Sequence, residues 1–354
     1  MQQIASVQVL RAIAALGVLA CHYGLFYSQS LGNPTAITTL AFGEAGVDLF
    51  FVISGFIMVY ASQPLYGRAG APMTFLARRA IRIVPLYWLV TTAYLAVALL
   101  APGLQKSLSA EYVAASYAFI PYPMPGGAMQ PLVGQGWSLN YEMAFYAIFG
   151  LALFAPSRTA ILSASGVLAG VAAAGLIFDP ADPMLRFWSN PIILEFVFGM
   201  LIGLAYLQGV RLPRALGWGL LAGGIALFLA AKQMHDLFGG RLIPWGTPAV
   251  LAVAGATLGG VTASGAIWRG LVLLGEASYA LFLTHAVVVR GLIALFRHAG
   301  IELPFWPGLA LATALSIALA MAVYYVFERP VTRALRNLAA TRRAKRKSAE
   351  ALVA

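Results

Sequence analysis

An arginine and a histidine eleven residues apart, Arg11 and His22, interrupt the first apolar segment of the chain, VQVLRAIAALGVLACHYGLF. An arginine at the centre of a membrane helix costs at least ~2.5 kcal/mol, so ionisable residues at such depth point to function. Eleven residues at ~100° each turn a helix about three times, which puts both side chains on one face, roughly 16 Å apart along the axis. That face carries a fixed cation at one level and a titratable base at another. A neutral imidazole there can serve as a general base or as a nucleophile.

Other segments add polar groups of the same kind. GEAGVDLFFVISGFIMVYA carries Asp48 and Ser54. Asp48 can cap its helix, pair with Arg11 or take a direct part in the chemistry, and Ser54 can bond back to its own helix backbone. FLARRAIRIVPLYW holds Arg78, Arg79 and Arg82, spaced i,i+3 and i,i+4 so that they gather on one side. Guanidinium forks suit phosphate oxygens, although positive charge at a membrane boundary needs no ligand to explain it. WSLNYEMAFY supplies Trp137, Ser138, Tyr141 and Glu142, with Ser138 and Glu142 on one face. Glu142 is the candidate for orienting His22 or relaying its proton. LGEASYALFLTHAVV adds Glu276, Ser278, Tyr279 and His285, and LEFVFGM adds Glu195. A lone His285 reads equally as a packed, hydrogen-bonded side chain. No metal is expected, because the four histidines are scattered along the chain without zinc-ligand spacing.

These residues need apolar elements to hold them. Of 354 residues, 61% are hydrophobic and 10% charged, against about 25% charged in a soluble domain. The composition is that of an all-α, multi-pass membrane protein. Apolar runs of about twenty residues predict ten helices, near 4–26, 44–62, 79–100, 137–155, 159–177, 191–207, 214–231, 247–262, 271–296 and 307–327. Arg11 breaks the first run and no cation precedes it, which opposes a signal peptide and predicts a retained helix. With the N-terminus inside, sixteen of the 23 Lys and Arg fall on the cytoplasmic side and six outside. Both termini are therefore expected in the cytoplasm. Residues 1–335 form the membrane domain and 336–354 a basic tail suited to anionic membrane lipids. The net charge of +11 lies in short loops and this tail, so nucleic acid is not the expected partner. Cys21 is the single cysteine and excludes an intrachain disulfide. The connection at 101–136, rich in Pro, Gly and aromatics, has the length of a lid or of a spacer.

Together the motifs resemble the acyltransferase type 3 family, integral membrane O-acyltransferases of bacterial surface polysaccharides. The resemblance rests on VLRAIAALGVLACH, GVDLFFVISGF, RRAIR, GWSLNYE, SYALFLTH and the terminal FERP, and it covers nearly the whole chain. It is similar to the exopolysaccharide-modifying members, which lack a fused hydrolase-like domain. The resemblance implies a cytoplasmic acyl-CoA donor, usually acetyl-CoA, and an outer acceptor, a surface glycan or lipid-linked oligosaccharide. It implies a bacterial inner-membrane location, and it carries over Arg11, His22, Arg79 and Arg82 as functional positions. On this reading His22, Glu142 and Arg11 are catalytic, and Arg78, Arg79 and Arg82 bind the donor. Asp48, Ser54, Trp137, Ser138, Tyr141, Tyr279 and His285 line the substrate path. The competing expectation is a transporter or flippase of lipid-linked sugars that performs no acyl transfer.

Overall fold

The computed structural model describes residues 4–32, 40–100, 108–124, 127–238 and 240–353. Lys106 and the side chains of Lys232, Arg342, Arg343, Lys345, Arg346 and Lys347, all counted in the charge bias, lie outside the described residues. Among those described there is no strand. Thirteen helices matter for the site: α1 (Ala5–Leu31), α2 (Ala45–Ala61), α3 (Ala71–Leu100), α4 (Ala110–Ala118), α5 (Trp137–Ala152), α6 (Ser157–Phe178), α7 (Leu194–Leu207), α8 (Arg214–Leu229), α9 (Thr247–Leu258), α10 (Ala266–Glu276), α11 (Ser278–His298), α12 (Phe305–Val323) and α13 (Arg329–Val353).

Every expected apolar segment carries a helix. By length and composition, however, seven of the described helices can cross a membrane. α8 and the stretch Leu242–Leu258 are shorter apolar helices, and α5 has 16 residues. The ninth expected helix is two, because the chain bends at Ala277 between α10 and α11. The expected boundary between membrane domain and tail falls inside α13, which runs unbroken through it.

α2 is the innermost helix, with 78% of its apolar window buried, whereas the α12 segment buries 22% and leaves leucines and valines exposed along its length. Apolar side chains facing outward are stable in lipid, so the burial order separates central from lipid-facing helices. The chain is a multi-pass membrane protein. Because lipid offers helices no hydrophobic drive to associate, they join by close packing of small residues. Gly199 and Gly203 of α7 form such a seam against α2. A Cβ on Gly199 would stand 2.0 Å from the carbonyl oxygen of Val52, and one on Gly203 2.8 Å from Val59 Cβ. Gly199→Val should therefore lower the melting temperature of the purified protein sharply or prevent its accumulation, since overpacking costs ~1–3 kcal/mol or more. Gly166→Ala, which meets nothing within 4 Å, should not change it. Equal melting of the two variants would refute the seam.

Gly275 has the same role where the site begins. Its missing Cβ lets the end of α10 approach α1, where a methyl would lie 2.0 Å from the carbonyl oxygen of Gln8. This contact brings the bend at Ala277, and Ser278 just after it, against the turn of α1 that carries Arg11.

Candidate active site

Two polar cavities lie among the central helices. The first, about 110 Å³, is lined by Arg11, Ser54, Arg79, Arg82, Ser138, Glu142, Tyr146, Ser278 and Tyr279 against the apolar walls of α2 and α11. The second, about 220 Å³, is lined by Cys21, His22, Glu44, Gln135, Trp137 and Arg241. Val47 and Phe282 line both and form the partition between them. Arg11 and His22, on one helix, thus serve different chambers.

In the first chamber, Arg11 Nε donates to Ser278 Oγ at 3.1 Å. Arg82 is paired with Glu328 and lies 5.8 Å from the ring centroid of Tyr279. Arg79 approaches the Phe75 ring at 5.7 Å, while its buried Nε has no hydrogen-bond partner among the described residues. A buried donor left without an acceptor is a place where a ligand oxygen can sit. Glu142 accepts from Ser54 Oγ at 2.8 Å and from Tyr146 OH. Three guanidiniums thus face two carboxylates, Glu142 and Glu328, and the chamber carries a net positive charge.

The second chamber is organised by a histidine pair. His22 Nδ1 lies 2.7 Å from His285 Nε2, and His285 Nδ1 lies 3.0 Å from the carbonyl oxygen of Leu281. A carbonyl only accepts, so His285 Nδ1 carries its proton and His285 Nε2 accepts. His22 Nδ1 must then be the donor, which leaves His22 Nε2 as a lone pair. The rings lie within 6° of parallel with centroids 5.0 Å apart. With nitrogens at 2.7 Å, that is an edge-to-edge, in-plane arrangement, because face-to-face rings would not bring atoms so near. A base whose free nitrogen is fixed by a partner on its other nitrogen is the arrangement of the catalytic triads, here with imidazole in place of the orienting carboxylate. Phe26, one turn from His22, lies 5.6 Å from it and within 13° of parallel.

Several expectations change. Glu142 does not orient His22: its carboxylate is taken by Ser54 and Tyr146 in the other chamber, and His285 makes the contact. Asp48 does not pair with Arg11. It is fully buried and takes the fork of Arg241, Nη2 at 2.6 Å and Nε at 3.0 Å, with Glu44 also within reach of that arginine. Asp48 therefore acts on the second chamber through Arg241. Ser54 does not bond back to its own backbone but donates to Glu142. Arg78 is exposed and outside the chamber that Arg79 and Arg82 line, although its i,i+4 spacing puts it on the Arg82 side of the helix, so helical spacing alone does not bring it into the site. Tyr141 lines neither chamber; it stacks on Phe187, 4.1 Å between centroids, and donates to the Phe187 carbonyl. Ser138 and Tyr279 do line the first chamber, with the Tyr279 hydroxyl committed to the Ile83 carbonyl. Trp137 lines the second.

Arg241, Gln135, Tyr146 and Ser278 were not among the expected site residues. Ser278 had a signal, since it sits in the quoted SYALFLTH motif. Arg241, in a polar loop, had none. No group of three or more His, Cys, Asp or Glu able to hold a metal occurs among the described residues.

The helices thus hold an oriented imidazole at one level and an arginine-lined chamber at another. The chain belongs to the acyltransferase 3 family: its model, described as an acyltransferase domain, matches residues 4–325. The chain is 38% identical over 301 residues to the exopolysaccharide production protein ExoZ of Rhizobium meliloti, covering 82% of this chain and 90% of that one. It is 29% identical over 353 residues to the acyltransferase MdmB of Streptomyces mycarofaciens, covering 90% and 87%. It is 26% identical over 318 residues to nodulation protein 10 of Rhizobium leguminosarum, covering 81% and 83%. No solved structure matches the chain. It is a membrane O-acyltransferase.

Proposed function

We propose that this enzyme moves an acetyl group from cytoplasmic acetyl-CoA to a hydroxyl of an exopolysaccharide, or of its lipid-linked precursor, at the opposite face of the bacterial inner membrane. The observation that carries the reading is the fixed tautomer of His22, which leaves Nε2 as a lone pair. Once the thioester has passed between Val47 and Phe282 to reach His22, Nε2 takes the proton of the acceptor hydroxyl as that oxygen attacks the thioester carbonyl. The C–S bond then breaks, and the imidazolium returns the proton to the departing CoA thiolate. Proton transfer by a positioned side chain contributes typically ~10²–10⁴ in rate. His285 holds the ring, and Glu142, bound to Ser54 and Tyr146, sets the charge of the donor chamber.

Donor recognition falls to Arg79 and Arg82, with Arg11 deeper. The unpartnered Nε of Arg79 and the surplus of guanidiniums support a phosphate-bearing donor. The chamber's 110 Å³ holds a thioester arm rather than a nucleotide, so the nucleotide stays at the mouth. The excess of Lys and Arg in alternate connections supports both termini lying in the cytoplasm, which requires that the shorter apolar helices α5, α8 and α9 cross as well as the seven long ones. The kinship with an exopolysaccharide production protein supports a glycan acceptor.

The test uses purified protein in vesicles, radiolabelled acetyl-CoA and exopolysaccharide from the producing cell. Arg79→Gln should raise the KM for acetyl-CoA about tenfold, the worth of one charge-assisted hydrogen bond. It should leave transfer from acetyl-pantetheine, which lacks the phosphates, as slow as in the wild type. Absence of transfer by the wild type, or an unchanged KM in the variant, defeats the reading. Trapping of an acetylated His22 without acceptor would replace the general-base route by a covalent one.

A further inference from the structure

The planar groups around His22 do not stop at Phe26. The Arg290 guanidinium carbon lies 4.2 Å from the Phe26 ring centroid, so His285, His22, Phe26 and Arg290 form a continuous series, its two ends from α11 and its middle pair from α1. Arg290 is the charged side chain in electrostatic contact with His22. Tyr94, on α3, feels the same charge. Arg297 follows two turns later, within ~20° of Arg290 around α11. It is exposed and lines a separate cavity of about 340 Å³ with Tyr27 and Glu302.

Two arginines stand close to the His22 level, Arg241 in the wall of its cavity and Arg290 on the Phe26 ring, and they differ in one respect. Arg241 is satisfied by Asp48 and Glu44. Arg290 is exposed, and neither it nor Arg297 has a carboxylate within 4.0 Å among the described residues. A guanidinium resting on an aromatic face keeps its edge donors free for a planar or tetrahedral oxyanion. Had Arg290 served only to reach lipid headgroups, its side chain would extend toward the helix end. It lies instead on the ring packed against His22.

We propose that Arg290 is a specificity-determining residue that binds an oxyanion carried by the acyl acceptor, a carboxylate or a phosphate, and so brings the acceptor hydroxyl to His22. The proposal rests on the acyl-transfer reading and adds the charge of the acceptor. Arg297 extends the same positive track toward the end of α11.

The experiment uses full-length protein in phosphatidylcholine vesicles, which present no anionic headgroup. Three acceptors are compared: an oligosaccharide ending in glucuronic acid, its methyl ester, and the methyl ester linked to polyprenyl diphosphate. The wild type should favour at least one charged acceptor over the neutral ester in kcat/KM. Arg290→Gln should reduce that preference about tenfold, through the acceptor KM, and Arg290→Lys should restore part of it. Which charged acceptor loses its advantage identifies the anion as carboxylate or diphosphate. A wild type that transfers acetyl equally well to all three, or a variant that keeps the preference, overturns the proposal and leaves the acyl-transfer reading standing. A wild type that transfers to none overturns both.

Discussion

Glutamine at position 22 should lower kcat/KM for acyl transfer by a factor of ~10²–10⁴, the usual contribution of a positioned general base. The loss should appear in kcat, because the Arg79–Arg82 chamber proposed for the donor is separated from His22 by Val47 and Phe282. His285→Leu should cost less and should likewise lower kcat. It removes the acceptor that fixes the His22 tautomer but leaves the imidazole itself in place. Steady-state kinetics on both variants and the double variant check this. A partnership gives a double variant no slower than His22→Gln alone, since residues acting as one unit are not additive. Full additivity would separate the two histidines.

Asp48→Ala should destabilise the protein by ~3 kcal/mol, the lower end of the cost of stranding one member of a buried ion pair. The lower end applies because the Arg241 side chain keeps 28% exposure and can still approach Glu44. Asp48 itself has no solvent to recover, which is why the penalty falls on the arginine left behind. Thermal unfolding of purified protein in detergent measures it, with Asp48→Asn expected between the two. A loss of no more than ~0.5 kcal/mol, typical of a surface substitution, would remove Asp48 from the framework of the second chamber.

Much of this arrangement was legible in residue spacing. The helix period placed Arg11 and His22 on one face of α1, and the same period gathered Arg79 and Arg82. What spacing does not carry is contact across the chain. His22 meets His285 263 positions away, and no local pattern distinguishes that histidine from a packed one. Arg241 reaches Asp48 across 193 positions from a stretch whose composition reads as an ordinary polar loop. The bend at Ala277 is equally hidden, since alanine is a good helix former and the polar neighbours Glu276 and Ser278 are tolerated in helices. Gly275 meets α1 just before it, a tertiary contact that local spacing does not report. Glu142 was misassigned for a related reason: helical spacing gave it a face but not which of two chambers that face adjoins.

Val47 and Phe282 have one more consequence. A catalyst proposed to take its donor from one side of a bilayer and its acceptor from the other risks becoming a leak, because chambers placed end to end can carry a thread of water and, with it, protons. Here that thread is interrupted by two hydrocarbon side chains, which present no site where a hydrated ion can shed its shell.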